Sequence, residues 1–259
     1  MALGYDQQLF ILAFDHRGSF QKKMFGIAGD PTPEETARII DAKAVIAAGF
    51  AKALEEGAQA GTAGILVDEQ FGTDVARAGL AAGRIVAMPV EKSGLDYFDF
   101  EYGDDFGAHI ESFDPTFSKI LVRYNPEGNA DDNTKSLAGL RTLSDWLHAR
   151  DRKFLLELLV PGEPHQIEAA GGEDAYDTNV RPGLMREAIA AMQGAGIEAD
   201  IWKIEGIDKR EDCEMIAEQT RAGGRDGVGC VVLGRGADDA KVDHWLRTGA
   251  GVPGDRKST

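Results

Sequence analysis

Cysteine is nearly absent from this chain. Cys213 and Cys230 are the only two among 259 residues, and neither has a CxxC partner. Neither a disulfide framework nor a zinc site is therefore expected. Basic residues are also in deficit, with 28 Lys and Arg against 44 Asp and Glu and a formal net charge of −16. That balance argues against nucleic acid and against an anionic membrane as partners. It leaves room for a local group of Lys and Arg that holds an anionic substrate in a cleft. No apolar run is long enough to span a bilayer. The start, Met1-Ala2-Leu3-Gly4-Tyr5-Asp6, has no basic region followed by an apolar run, so no signal peptide is read. A cytoplasmic location is the expectation.

What is present is an alternation of apolar runs and helical patterns. Strand-like runs lie at residues 9–14, 64–67, 84–90, 118–124, 154–160, 199–206 and 228–233. Between them fall helical patterns. One runs from Pro33 to Glu56 with a stripe of Ile39, Ala42, Ile46, Phe50 and Ala53, and starts at Thr32-Pro33 before Glu35. Others run from Asp74 to Ala82, through Leu137, Leu140, Leu143 and Leu147, through Met185, Ile189 and Met192, from Arg210 to Ala222, and through Trp245 and Leu246. Repeated βα units predict a parallel sheet. No early GxGxxG is present, so an α/β fold of the (β/α)8 TIM-barrel kind is expected in preference to a Rossmann sheet. No linker divides residues 1–259, and the whole chain reads as one barrel domain. Only seven strands are counted. Residues 249–259 are polar and Gly-rich and contain no recognisable eighth strand, so the eighth βα unit is expected to be missing or truncated, with the domain incomplete at 250–259. The acidic, aromatic stretch 96–102 between the third and fourth strands has the length and character of a functional lid.

Barrel enzymes carry their active sites at the C-terminal ends of the strands. Those ends hold Asp15, His16 and Arg17; Asp68 and Glu69; Glu91 and Lys92; Lys119 and Arg123; Glu157; Lys203 and Glu205; Gly234 and Arg235. Lys119, Glu157 and Lys203 lie within their strands, where an ionisable group is costly unless paired. Lys203, between Trp202 and Ile204, either pairs with a carboxylate such as Glu205, or snorkels, or is a buried amine of depressed pKa, the reagent of Schiff-base chemistry. If the trio points inward, Lys119 would lower the pKa of Lys203 and Glu157 would serve as general acid/base. A purely structural Lys-Glu-Lys network is the alternative. Arg17 and the Gly234-Arg235-Gly236 turn are candidate phosphate holders. Asp15, Asp68 and Glu69 together are an alternative divalent-metal set, with no histidine to support it. His16 is the one histidine of five at a strand end.

Four segments carry a family resemblance: Phe14-Asp15-His16-Arg17-Gly18-Ser19, Tyr176-Asp177-Thr178-Asn179-Val180-Arg181-Pro182, Trp202-Lys203-Ile204-Glu205-Gly206 and Val232-Leu233-Gly234-Arg235-Gly236. They resemble the aldolase-like domain fused to 5-dehydro-2-deoxygluconokinase in some bacteria, over nearly the whole chain. A more distant similarity is to tagatose-1,6-bisphosphate and sulfofructose-phosphate aldolases. The resemblance implies a class I aldolase, a carbon–carbon lyase on a TIM barrel that needs no cofactor or metal. It implies that Lys203 forms the imine, that Glu157 is the acid/base, and that Lys119 and Asp15 complete the catalytic set. Arg17, Asp68, Glu91, Arg123, Glu205, Gly234 and Arg235 are the candidate substrate-binding residues. The implied substrate is a small phosphorylated sugar, 6-phospho-5-dehydro-2-deoxy-gluconate from inositol breakdown, cleaved to dihydroxyacetone phosphate and malonate semialdehyde.

In one place the chain departs from that family. Relatives continue past a Val-Pro-Gly into an eighth strand with a further Gly-Arg motif for phosphate, whereas Val252-Pro253-Gly254 is followed here by five residues. A metal-dependent sugar-phosphate lyase or isomerase, and an inactive sugar-phosphate-binding protein, are the competing expectations. Barrels commonly associate, so a homo-oligomer is also expected.

Overall fold

The structure is a computed structural model that describes residues 2–258; Met1 and Thr259, at the outer ends of the two terminal readings, lie outside the described residues. Its centre is one parallel sheet whose strands neighbour one another in chain order: β1 (Phe10–Ala13), β2 (Ala63–Leu66), β3 (Ile85–Pro89), β4 (Phe117–Arg123), β5 (Lys153–Leu159), β6 (Ile201–Glu205), β7 (Gly229–Leu233) and β8 (Asp255–Ser258). The helices are α1 (Gly18–Phe25), α2 (Pro33–Glu55), α3 (Glu69–Ala81), α4 (Phe106–Phe113), α5 (Ala130–His148), α6 (Pro164–Ala170), α7 (Glu173–Asn179), α8 (Arg181–Gly194), α9 (Arg210–Arg221) and α10 (Asp239–Gly249). The sheet curls so far that β8 comes within 8 Å of β1.

The eighth strand corrects an expectation. Residues 255–258 pair in parallel with β7, with a register irregularity between Cys230 and Val232, and the Cys230 N–H donates to the Gly254 carbonyl at 2.8 Å. The segment is polar, so no apolar alternation marks it. Backbone pairing to β7 makes it a strand. Helix α3 begins at Glu69, earlier than the expected Asp74, because the Asp68 carboxylate accepts the Phe71 N–H at 2.8 Å and caps the first turn. Helix α2 begins as expected, in a capping box formed by Thr32 and Glu35.

The two-residue period of the strands sorts their side chains. Ile11, Leu66, Ala87, Phe117, Leu155, Ile201 and Val231 meet as one buried cluster across the sheet and plug the barrel interior. The alternate positions Val122, Leu156, Leu158, Trp202 and Ile204 belong to a second cluster, beneath the helices, with Leu140, Leu143, Met185, Ile189 and Ile216. Register pairs Glu157 with Lys203, two residues beyond Leu155 and Ile201. Period therefore sends Lys119, Glu157 and Lys203 inward, one layer above the plug. Below the plug, Asp200 is fully buried and accepts from the Gly4 and Phe154 N–H groups and the Lys153 Nζ, each at 2.8 Å. These bonds hold the N-terminal segment across the lower opening.

At the upper end of β6 the chain has room only for glycine. A Cβ on Gly206 would overlap the Trp245 ring, which is buried there and donates its indole N–H to Asp208 at 2.9 Å. Gly206→Ala is therefore expected to cost about 1–3 kcal/mol through overpacking. Urea unfolding checks this, and an unchanged midpoint would contradict the close packing of α10 on this strand end.

Candidate active site

Lys119 and Lys203 are both 2% exposed and meet on the same carboxylate. Glu157 Oε2 lies 3.0 Å from Lys119 Nζ and 3.3 Å from Lys203 Nζ. Lys119 has two further anions, Asp15 Oδ2 at 2.8 Å and Glu91 Oε1 at 3.2 Å. Burial works to lower the Lys119 pKa, but Asp15, Glu157 and Glu91 outweigh it and hold the amine well above its ordinary value. Burial likewise works to raise the Asp15 carboxyl, and the charges of Lys119 and Lys203 outweigh it, holding that carboxyl well below the usual range. For Glu91 burial wins and the carboxyl is pushed up against the pull of Lys119 and Arg17. One Glu91 oxygen, Oε2, is buried with no hydrogen-bond partner among the described residues. Lys119 is thus a fixed positive charge. Lys203 touches one carboxylate among the described residues, that of Glu157.

The β1 end that carries Asp15 is held from behind. Buried Lys43 of α2 donates to the Phe14 carbonyl at 2.7 Å and the His16 carbonyl at 3.1 Å, and pairs with buried Asp68. On the other side Arg17 donates to the Glu91 carbonyl at 2.7 Å and to Glu101 Oε2 at 2.8 Å. Glu101 belongs to the segment expected to be a lid, which is instead a pinned strap. Glu91 bridges Phe100 in antiparallel fashion, and the Lys92 N–H donates to the Asp99 carbonyl at 2.9 Å. Phe100 stacks on Phe106 at 4.1 Å between centroids, and Tyr102 on His109 at 3.5 Å.

Above the charge cluster opens a cleft of about 430 Å³, the size of a small-ligand site. Asp15, Arg17, Glu91, Lys119, Arg123, Glu157 and Lys203 all line it, together with His16 and Lys92. Four other expected residues are placed elsewhere. Asp68 is absorbed by Lys43 and the α3 cap. Gly234 serves the turn after β7, where Arg235 has a φ of 55° and Gly236 one of 72°. Arg235 is tied to Asp177 Oδ2 at 2.6 Å and to Glu205 Oε1 at 3.2 Å. Glu205 in turn accepts the Val160 N–H at 2.9 Å and lies 3.7 Å from Arg181. Arg181 closes the ring on Asp177 at 3.0 Å, so two arginines and two carboxylates alternate around four contacts.

Asp177 and Arg181 escaped residue-by-residue reading because they sit in and after a short acidic helix, not at a strand end. The signal was the Tyr176–Pro182 segment, every polar member of which is used. The Tyr176 hydroxyl donates to the Val160 carbonyl at 3.1 Å, and Thr178 donates to Asp208 at 3.0 Å. The alternative metal set does not assemble. Asp15 faces Lys119, Asp68 faces Lys43, and Glu69 faces His109 at 2.9 Å. Among the described residues no three His, Cys, Asp or Glu side chains are grouped to hold a metal ion. No helix among them is long and apolar enough to cross a membrane.

Because Lys119 neutralises three carboxylates, Lys119→Met is expected to cost about 3–5 kcal/mol at neutral pH, the penalty of stranding buried charge. Its loss removes the charge that opposes burial at Asp15 and Glu91, so their folded-state pKa rises above the unfolded values of about 4. Carboxyls raised in this way stabilise the fold at acid pH and lose that contribution as pH rises, so the deficit should shrink toward pH ~4. Urea unfolding of both proteins at several pH values checks this; a deficit that does not vary with pH would overturn the charge accounting.

The curled sheet with its helices is shared with several solved structures. A crystal structure from Corynebacterium glutamicum matches with a TM-score of 0.63 at 18% identity, over 100% of this chain and 79% of that one. A Schiff-base-forming fructose-1,6-bisphosphate aldolase matches with a TM-score of 0.57 at 14% identity, over 97% of this chain and 86% of the other. A fructose-bisphosphate aldolase from Slackia heliotrinireducens gives 0.59 at 13% identity, over 97% and 73%. At such identities the likeness speaks for the aldolase-type α/β barrel fold. No curated protein matches the sequence. A family model does match, over residues 4–253, and the chain belongs to that family, DUF2090, described as an uncharacterized protein conserved in bacteria.

Proposed function

We propose that this protein is a class I aldolase, a lyase that cleaves a carbon–carbon bond through a Schiff base on Lys203. The observation that carries the reading is the sharing of Glu157 Oε2 between two buried lysines, 3.3 Å from Lys203 and 3.0 Å from Lys119, at the foot of the cleft. Chemistry needs one lysine to lose its proton and attack while the other stays charged. The three carboxylates around Lys119 hold its proton, which leaves Lys203 as the nucleophile.

In the proposed cycle Lys203 Nζ gives up a proton to Glu157 and adds to the substrate ketone. The adduct nitrogen passes one proton to its oxygen and Glu157 returns another, so that the oxygen leaves as water and a protonated imine forms. The ionised Glu157 then takes the proton of a substrate hydroxyl, the adjacent carbon–carbon bond breaks to release an aldehyde, and the electron pair moves into the iminium to give an enamine. Protonation of the enamine and hydrolysis release the ketone product and restore the amine. Asp15 anchors the charge on Lys119, which faces the developing oxyanions. Support by analogy comes from the solved neighbours of the same fold, one of which is an archaeal fructose-1,6-bisphosphate aldolase with its catalytic lysine covalently bound to the carbinolamine intermediate of its substrate.

The specific substrate proposed is 6-phospho-5-dehydro-2-deoxy-gluconate, cleaved to dihydroxyacetone phosphate and malonate semialdehyde in cytoplasmic inositol breakdown. Its support is the resemblance of four segments to the kinase-linked aldolase-like domain. Borohydride reduction in the presence of dihydroxyacetone phosphate should add one reduced ketose to the protein, located to Lys203 by peptide mass spectrometry. Lys203→Met should abolish labelling, and Glu157→Gln should slow it by about 10²–10⁴-fold. Labelling of Lys119, or none in folded protein, would sink the proposal.

A further inference from the structure

The cations of the cleft divide into paired and unpaired. Arg17 is bound by Glu91 and Glu101, Lys119 by three carboxylates and Lys203 by Glu157. Arg123 and Lys92 also line the cleft, yet among the described residues neither has a carboxylate within ion-pair distance. That is notable in a chain with 44 acidic and 28 basic side chains. Arg123 follows Lys119 and Leu121 in the inward phase of β4. It spends one NH1 donor on the Leu95 carbonyl at 3.2 Å, and the rest of its planar fork is free to take two oxygens of one anion. Lys92 adds a second positive charge from the adjacent end of β3. Between Lys92 and Leu95 the chain turns through Gly94, whose φ of 87° lies in the left-handed region, and Ser93 and Gly94 line the same cleft.

The opposite side of the barrel mouth offers no such opening. Phosphate sites in these barrels usually fall after strands seven and eight, and here that place is held by Arg235. Its guanidinium is occupied by Asp177 at 2.6 Å and Glu205 at 3.2 Å, and it does not line the cleft. An anion there would have to displace two carboxylates.

We therefore propose that Arg123 and Lys92, with the Ser93-Gly94 turn, form an anion subsite on the β3–β4 side of the cleft that takes a carboxylate or phosphate group. The aldolase reading enters only in making that anion part of the substrate. Arg235 is assigned instead to positioning Glu205 and the turn after β7.

Calorimetric titration of the full chain with inorganic phosphate, and separately with malonate, tests the subsite without any imine chemistry. At least one anion should bind, and whichever binds more tightly identifies the group that the subsite takes. Arg123→Ala and Lys92→Ala should each weaken that binding by about tenfold or more, whereas Arg235→Ala should leave it nearly unchanged. Lys92→Ala guards against a loop effect, since Lys92 holds no strap carbonyl through its side chain. Loss of binding in Arg235→Ala with retention in the other two would overturn the assignment, as would no binding of either anion to the unaltered protein. Borohydride labelling separates this from the function. If dihydroxyacetone and its phosphate both fail to label Lys203 while the titrations go as expected, the aldolase reading falls and the anion subsite stands.

Discussion

Two lysines buried at the top of an apolar plug are tolerable only because carboxylates meet them there. Each ion alone would cost several kcal/mol to desolvate. The Glu157 carboxylate between Lys119 and Lys203 is the interaction on which the rest of the site depends. It forces the two amines onto one oxygen, where they compete for it. Asp15 and Glu91 resolve the competition by reinforcing the charge on Lys119. That asymmetry makes Lys119 a fixed cation and leaves Lys203 with a single carboxylate partner among the described residues. The arrangement has the cost of burying ions, and under the proposed function that cost is retained for chemistry more than for stability.

The surrounding structure keeps those groups in place. Lys43, paired with Asp68 behind β1, donates to the Phe14 and His16 carbonyls and so positions Asp15 beside Lys119. Arg17 ties β1 to the strap through Glu101, and the strap is pinned by its own ladder and by aromatic stacking onto α4. On the far side the Arg181–Glu205–Arg235–Asp177 ring locks the ends of β6 and β7. The site is therefore tied by hydrogen bonds and ion pairs on three sides, and Arg123 and Lys92 line its cleft from the ends of β4 and β3.

Much of this was legible in the sequence because a strand's side chains alternate strictly. Once Phe117, Leu155 and Ile201 face a common core, Lys119, Glu157 and Lys203 must face the same interior two residues later. Residues at strand ends were less legible, since nothing in a strand pattern distinguishes a cleft group from a helix cap. Asp68 is the example: the same position that suggested a ligand is a cap and a partner for a lysine 25 residues earlier. Arg235 looked like a phosphate holder because its two carboxylate partners come from α7 and β6, a tertiary fact with no local signature. Strand β8 has no signature in the sequence because its segment is polar and short, and its assignment rests on backbone pairing with β7. Length and aromatic content alone suggest a lid at the strap, because they do not reveal what its rings stack on.

The central claim is that Lys203, and not Lys119, is the reacting amine. A crystal structure of the protein soaked with a ketose phosphate tests it most directly. The account predicts continuous density from Lys203 Nζ to the ketone carbon, with Glu157 within hydrogen-bond distance of the new carbon–nitrogen linkage and Lys119 still on Asp15. Density joining the ligand to Lys119, or a ligand in the cleft with Lys203 unmodified and still paired to Glu157, would contradict it.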